Sequence, residues 1–234
     1  MRKGFFSGTV LLGILMIMAA ACFAQEQKKP PVVSAIEDCP PSDAIVLFDG
    51  TDLSEWEGRK GGQPTWTVAR GAMTVNKGGI KTKREFGDIQ LHLEFASPAP
   101  PVGEGQNRGN SGVYIHGNYE VQVLDSYSYI SETYFDGQCG SIYKQHAPLV
   151  NASRAPGRWQ TYDIIFRAAI FDTSGKKIKK AILTVLHNGV LIQDHVEVTP
   201  TGGAASNKEL KKGPIHLQDH HHPVKFRNIW VREL

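Results

Sequence analysis

The sequence predicts an all-β protein, an antiparallel β-sandwich of jelly-roll type, on three observations. No segment keeps the apolar period of about 3.6 residues through several turns, so no long amphipathic helix is expected. Short apolar or alternating runs recur at close spacing, separated by Gly, Asn and Pro turns. The run Asp88 to Phe95 alternates throughout, with Ile89, Leu91, Leu93 and Phe95 on one side and Asp88, Gln90, His92 and Glu94 on the other. This is the pattern of a half-buried antiparallel strand.

Ala44 to Phe48 is a short apolar strand closed by Asp49-Gly50, and Leu53 and Trp56 after it suit the edge of a core. Thr65 to Ala69 and Ala72 to Val75 form a hairpin about Arg70-Gly71, and Gly79 to Thr82 adds a short strand. The Pro- and Gly-rich loop Ser97 to Asn110 is long enough to suggest a binding role. Its Gly103, Gly105 and Gly109 lack dinucleotide-loop spacing and no helix pattern follows, which excludes a Rossmann reading. From Gly109 to Asp125 two strands flank a turn at His116-Gly117-Asn118, where Gly and Asn tolerate positive φ. Alternation sends Tyr119, Val121 and Val123 to one face and Glu120, Gln122 and Leu124 to the other.

Ser126 to Gly140 carries Tyr127, Tyr129 and Tyr134, which either stack on sugar rings or pack an edge. Trp159 to Phe171 reads as one long strand, and Ala181 to Leu186 and Val190 to His195 flank the hairpin turn at Asn188-Gly189. Gly213 to Asp219 and Val224 to Arg232 are strands on either side of His220-His221-His222-Pro223.

The chain begins with a basic Met-Arg-Lys and an apolar run ending in small residues, the form of an export signal. Cleavage after Ala24 leaves a soluble product; cleavage after Ala21 leaves Cys22 for a lipid anchor on a membrane. Either form is exported, as a periplasmic protein or an outer-membrane lipoprotein. Residues 25–42 are a polar, Pro-rich tether, and residues 43–234 a single β-sandwich domain. Removing residues 1–24 takes Arg2 and Lys3 from the 26 basic residues and none of the 23 acidic ones, so the exported body is close to neutral. No nucleic-acid partner follows from such a balance. Once Cys22 is lipidated or removed, Cys39 and Cys139 remain, and in an oxidising compartment they either pair or stay as two thiols. A disulfide between them would contribute about 4–5 kcal/mol in the chain-entropy model.

Several spaced motifs in order resemble one family. They are Leu47-Phe48-Asp49-Gly50 with Leu53 and Trp56, Gly109-Asn110-Ser111-Gly112-Val113-Tyr114-Ile115, Tyr119-Glu120-Val121-Gln122-Val123-Leu124-Asp125, and Gly140-Ser141-Ile142-Tyr143. Trp159-Gln160-Thr161-Tyr162, His187-Asn188-Gly189, Leu217-Gln218-Asp219-His220 and Phe226-Arg227-Asn228-Ile229-Trp230-Val231 complete the set. Together they are similar to the 3-keto-disaccharide hydrolase domain over roughly residues 44 to 234. The resemblance implies a concanavalin A-like lectin/glucanase sandwich that cleaves glycosides oxidised at C3. Gly often follows the histidine of the Gln-Asp-His motif in that family; here His221, His222 and Pro223 follow.

A ketone at C3 acidifies the proton at C2, so a base can remove it and expel the aglycone from C1, with water adding afterwards; two-carboxylate hydrolysis is the competing route. On this resemblance Glu120 is the candidate base, with Gln122 beside it as a sugar ligand. His216, Gln218 and His220 share a face if their strand runs regular, making His220 the candidate acid and Gln218 a second ligand. Arg227 either supplies positive charge to the enolate or pairs with Asp219. Asn110, Ser111 and Tyr114 are further candidate substrate ligands, with Glu94 and Asp125 as reserve carboxylates, Asp125 also suiting a turn cap. The clustered histidines invite a metal reading, but adjacent strand residues face opposite ways and no carboxylate spacing completes a site. No metal or other cofactor is expected, and the expected partner is an oligosaccharide or glycoside. A non-catalytic carbohydrate-binding module or a structural surface lipoprotein is the alternative on the same fold.

Overall fold

Period-two alternation builds two antiparallel sheets that share one apolar core. The computed structural model describes residues 1, 4, 29–34, 39–130, 133–203 and 205–234. All named strands lie in the compact unit Val33–Leu234. The export segment and Cys22 lie outside the described residues.

Among the described residues the strands are β1 (Ile45–Phe48), β2 (Trp56–Gly58), β3 (Thr67–Ala69), β4 (Ala72–Thr74), β5 (Ile80–Thr82), β6 (Ile89–Ala96), β7 (Ser111–Ile115) and β8 (Tyr119–Val123). They continue with β9 (Gln160–Arg167), β10 (Ile170–Phe171), β11 (Lys177–Lys179), β12 (Ala181–His187), β13 (Val190–Val198), β14 (His216–Leu217) and β15 (Lys225–Glu233). An eight-stranded sheet runs β13-β12-β9-β6-β15-β4-β3 with β1 also on β15, and a five-stranded sheet runs β2-β5-β14-β7-β8. Strands β10 and β11 form a separate ribbon.

The eight-stranded sheet sends Ile89, Leu91, Leu93 and Phe95 of β6 and Tyr162, Ile164 and Phe166 of β9 into the core. The five-stranded sheet answers with Val113 and Ile115 of β7 and Tyr119, Val121 and Val123 of β8. Phe166 is one of the contacts between them, its ring 5.4 Å from that of Tyr119 and 4.6 Å from that of His116. Trp56, expected as an edge plug, is itself the first residue of a strand, fully buried with Nε1 donating to the Leu47 carbonyl at 2.7 Å.

The central hairpin turns through His116 and Gly117, at φ 54° and 63°, with Asn118 N–H donating to Ile115 O at 3.0 Å. Asn118 is not one of the left-handed residues. It is buried and holds a distant loop, donating from Nδ2 to Lys208 O at 2.7 Å and accepting from Ser206 Oγ at 2.6 Å. The long strand expected from Trp159 to Phe171 stops at Arg167, and the strand expected from Gly213 to Asp219 is only the pair His216–Leu217.

Cys39 and Cys139 do not pair: Cys39 is exposed and Cys139 is buried. Cys139 faces the Tyr162 hydroxyl at 3.1 Å and packs as a core residue, with burial pushing its thiol pKa up. Thermal unfolding with and without dithiothreitol should therefore give one midpoint; a drop of several degrees under reductant would show that a disulfide forms.

Candidate active site

The outward face of the five-stranded sheet carries polar side chains at the positions between its core residues. The register places Lys81 opposite His216, His216 opposite Tyr114, and Tyr114 opposite Glu120, in one row across four strands. The next row sets Gly112 opposite Gln122, and Gln218 N–H extends the ladder past the end of β14 by donating to Gly112 O at 2.9 Å. Gly112 is small for a reason: a Cβ there would lie 2.5 Å from Glu120 Oε1 and 2.9 Å from the Tyr114 ring. Without it, Glu120 and Tyr114 lie flat across the sheet.

Glu120 faces outward yet is only 2% exposed, because loops roof it. Asn118 holds Thr201 and Lys208, and between them Gly202 comes so close that a Cβ there would sit 2.0 Å from Glu120 Oε2. Segment 140–143 runs along the free edge of β8, with Gly140 N donating to Gln122 O at 2.9 Å, Ser141 O accepting from Gln122 N at 3.0 Å and Tyr143 N donating to Glu120 O at 3.1 Å. It covers an otherwise unpaired edge and sets Tyr143 beside the acid.

These elements enclose a cavity of about 360 Å3 lined by Arg59, Gly79, Gln106, Asn110, Glu120, Gln122, Tyr143, Gly203, His216, Gln218, Asp219 and His220. Burial pushes the Glu120 carboxyl from its ordinary 4.5 up to about 7, against a hydrogen bond from the Tyr114 hydroxyl that favours the anion. Burial, with Arg59 and Lys81 nearby, takes His216 down to about 3, so its imidazole is neutral. His220 is also lowered, chiefly by burial. Burial and the Tyr134 hydroxyl, 2.5 Å away, push Tyr143 up to about 12.

Several buried atoms around the cavity have no hydrogen-bond partner among the described residues: Glu120 Oε2, Gln122 Oε1, Gln218 Oε1, His216 Nε2 and His220 Nδ1. Buried polar groups are seldom left so, and a cluster of them fits a ligand rich in hydroxyls. The amide nitrogens are already engaged, Gln122 Nε2 with Gln106 Oε1 at 2.9 Å and Gln218 Nε2 with the Tyr114 hydroxyl oxygen at 3.2 Å. The amide oxygens Gln122 Oε1 and Gln218 Oε1 are left as acceptors at the cavity.

Of the residues expected from the sequence, Glu120, Gln122, Gln218, His220 and Asn110 meet at this cavity. Tyr114 lies beneath Glu120 and acts on it through its hydroxyl. Ser111 pins the β14 extension instead, donating to Gln218 O at 2.7 Å. Asp125 is buried away from the cavity, paired with Arg108 at 2.7 Å and accepting from Tyr127 N–H at 3.4 Å, the turn-cap arrangement. Arg227 and Glu94 do not reach the cavity. Phe226 points into the core, so Arg227 points out of the opposite sheet, where it pairs with Glu94 at 2.7 Å and lies 4.3 Å over the Trp159 ring. Asp219 is not its partner and accepts from Gly78 and His221 N–H instead.

Arg59, Gln106, Tyr143 and His216 line the cavity without having been named as its ligands or catalysts. Tyr143 lay in the quoted Gly140 to Tyr143 motif, whereas Arg59 and Gln106 stand in loops that carry no periodic signal. Among the described residues no three His, Cys, Asp or Glu converge as metal ligands.

This antiparallel sandwich, with a buried acid among amides on an outward sheet face, is that of a carbohydrate-active family. A profile of the 3-keto-alpha-glucoside-1,2-lyase-like domain matches residues 43–232, and the chain belongs to that family. It is similar to a solved candidate glycosyl hydrolase from Parabacteroides distasonis ATCC 8503, 48% identical over 89% of this chain and 93% of that one, with TM-score 0.83. Two further candidate glycosyl hydrolases from the same organism share the fold at 18% and 21% identity, with TM-scores of 0.62 and 0.59, each over 82% of this chain and over 94% and 99% of their own. No curated protein matches the chain.

The Glu120 shift has a consequence for stability. Between about pH 4.5 and 7 the folded chain keeps a proton that the unfolded chain has released, so this group's contribution falls as pH rises through that window. Glu120→Gln cannot ionise and is expected to exceed the wild type by up to roughly 3 kcal/mol at pH 8, and by little at pH 4.5, in urea unfolding. Equal gains at both pH values would contradict a desolvated carboxyl.

Proposed function

We propose that this protein cleaves the glycosidic bond of 3-keto-glycosides by elimination followed by hydration, with Glu120 as the general base. The observation that carries the reading is a carboxyl pushed up to about 7 whose Oε2 is unpartnered inside a polar cavity. A base whose pKa lies near the working pH combines ionisation with proton affinity, and such a group contributes roughly 10²- to 10⁴-fold.

The ketone at C3 lets the C2–H pair flow toward oxygen as Glu120 takes the proton. The C1–C2 double bond then forms as the C1–oxygen bond breaks, and the aglycone leaves with a proton. Water adding across the double bond gives the free 3-keto sugar. The Arg59 guanidinium, which lines the cavity, is the candidate cation beside the enolate oxygen, in place of the remote Arg227. Tyr143, next to the acid, is the candidate donor to the leaving oxygen; the lowered pKa of His220 makes it a weaker one. Gln122 and Gln218 present carbonyl oxygens to sugar hydroxyls.

Two-carboxylate hydrolysis fits less well. The other carboxylate lining the cavity, Asp219, accepts from a backbone N–H at each oxygen, from Gly78 at 2.8 Å and His221 at 2.7 Å. A carbohydrate-binding module would use the same amides, but it gains nothing from an acid held at a desolvation cost. The reading goes with export by the N-terminal segment, cut after Ala24 or, with lipidation at Cys22, after Ala21, to give a periplasmic protein or an outer-membrane lipoprotein.

Incubation with a 3-keto-disaccharide and with its unoxidised parent separates these readings. Cleavage of the keto form alone is expected, with kcat/KM rising with pH to a plateau above about 7 and falling at least a hundredfold in Glu120→Gln. Binding of both without cleavage would favour the module, and equal cleavage of both would favour ordinary hydrolysis.

A further inference from the structure

Beside the Glu120 cavity lies a second one, of about 460 Å3, that shares Arg59 and His216 with it as a common wall. Lys60, Lys81 and Lys208 also line it, and among the described residues no Asp or Glu does. A cleft lined by one sign of charge concentrates ligands of the other. Lys81 is the partly neutralised member, with Glu57 at 3.1 Å, while Lys60 and Lys208 have no ion pair among the described residues.

Surface lysines alone define no site, but two buried rings stand behind these. His216 is 2% exposed, and its Nε2 has no partner among the described residues. His116 is 4% exposed; its Nε2 donates to Gly87 O at 3.1 Å, which leaves Nδ1 as a bare acceptor without a partner among the described residues. The second cavity is thus lined by cations and by two buried imidazoles, each with an unpartnered nitrogen among the described residues. A neutral sugar would use only the rings; an anionic one uses both.

The geometry points to a substrate whose unit beyond the scissile bond is an anionic sugar, bearing a carboxylate or a sulfate. This rests on the 3-keto-glycoside reading. The 3-keto unit lies over Glu120, the glycosidic oxygen passes the Arg59 and His216 wall, and the acidic group of the second unit sits among Lys60, Lys81 and Lys208.

Three 3-keto-disaccharides differing only in the second unit, glucose, glucuronate or sulfated glucose, test this in the wild type and in a Lys60→Ala/Lys208→Ala double variant. The charged substrates are expected to have KM about tenfold below the neutral one at low salt, with kcat similar. The gap should close at about 0.5 M salt and in the double variant. A gap for both charged forms assigns charge as the determinant, and one for glucuronate alone assigns the carboxylate. Equal KM for charged and neutral substrates would overturn the inference and leave the proposed function standing. If none is cleaved, the proposed function fails, and calorimetry with the unoxidised disaccharides decides the cavity's ligand. Tighter binding of the charged sugars, lost in the double variant, supports an anionic site, and equal binding overturns it.

Discussion

Taking the Glu120 carboxyl out of water is the constraint on which the rest of the structure depends. A buried acid prefers its proton, and here that preference reaches about pH 7. Three elements keep it buried. Gly112 of β7 leaves the floor open for the side chain, Gly202 closes over it, and segment 140–143 seals the edge strand that carries it, while the Tyr114 hydroxyl pulls the other way by favouring the anion. None of these could act on an acid at a solvated strand end.

The eight-stranded sheet contributes by fixing the hairpin from behind. Tyr162 of β9 crosses the core to donate to Gln122 O at 2.7 Å, and Phe166 packs against Tyr119 and His116. Core residues and cavity residues thus alternate along β8, so any shift in register would exchange one set for the other. The roof hangs on the same hairpin, through Asn118 to Thr201 and Lys208 and through the Thr201 hydroxyl to Tyr143 O at 2.5 Å. Packing and chemistry are coupled through a two-residue turn.

Much of this was legible in the sequence. Alternation alone placed Glu120 and Gln122 opposite Tyr119, Val121 and Val123, and ordered strands with turn residues between them indicated the antiparallel sandwich. Parity also separates Arg227 from Phe226, but not which sheet carries them, and so Arg227 and Glu94 were grouped with a cavity that lies on the other sheet. Loop residues were the hardest to read: Arg59 and Gln106 reach the cavity through irregular backbone, where no period constrains a side chain. The Cys39–Cys139 pairing rested on compartment chemistry, which says nothing about distance, and Cys139 instead belongs to the core.

The central claim is that one carboxyl on β8 titrates near neutrality because it is desolvated. Carbon-detected NMR of the protein labelled at Glu side-chain carboxyls, with Glu120→Gln assigning the signal, reads this directly. A single carboxyl resonance titrating near pH 7 and absent from the variant is the predicted result. A Glu120 midpoint near the ordinary value of 4.5 would contradict the account.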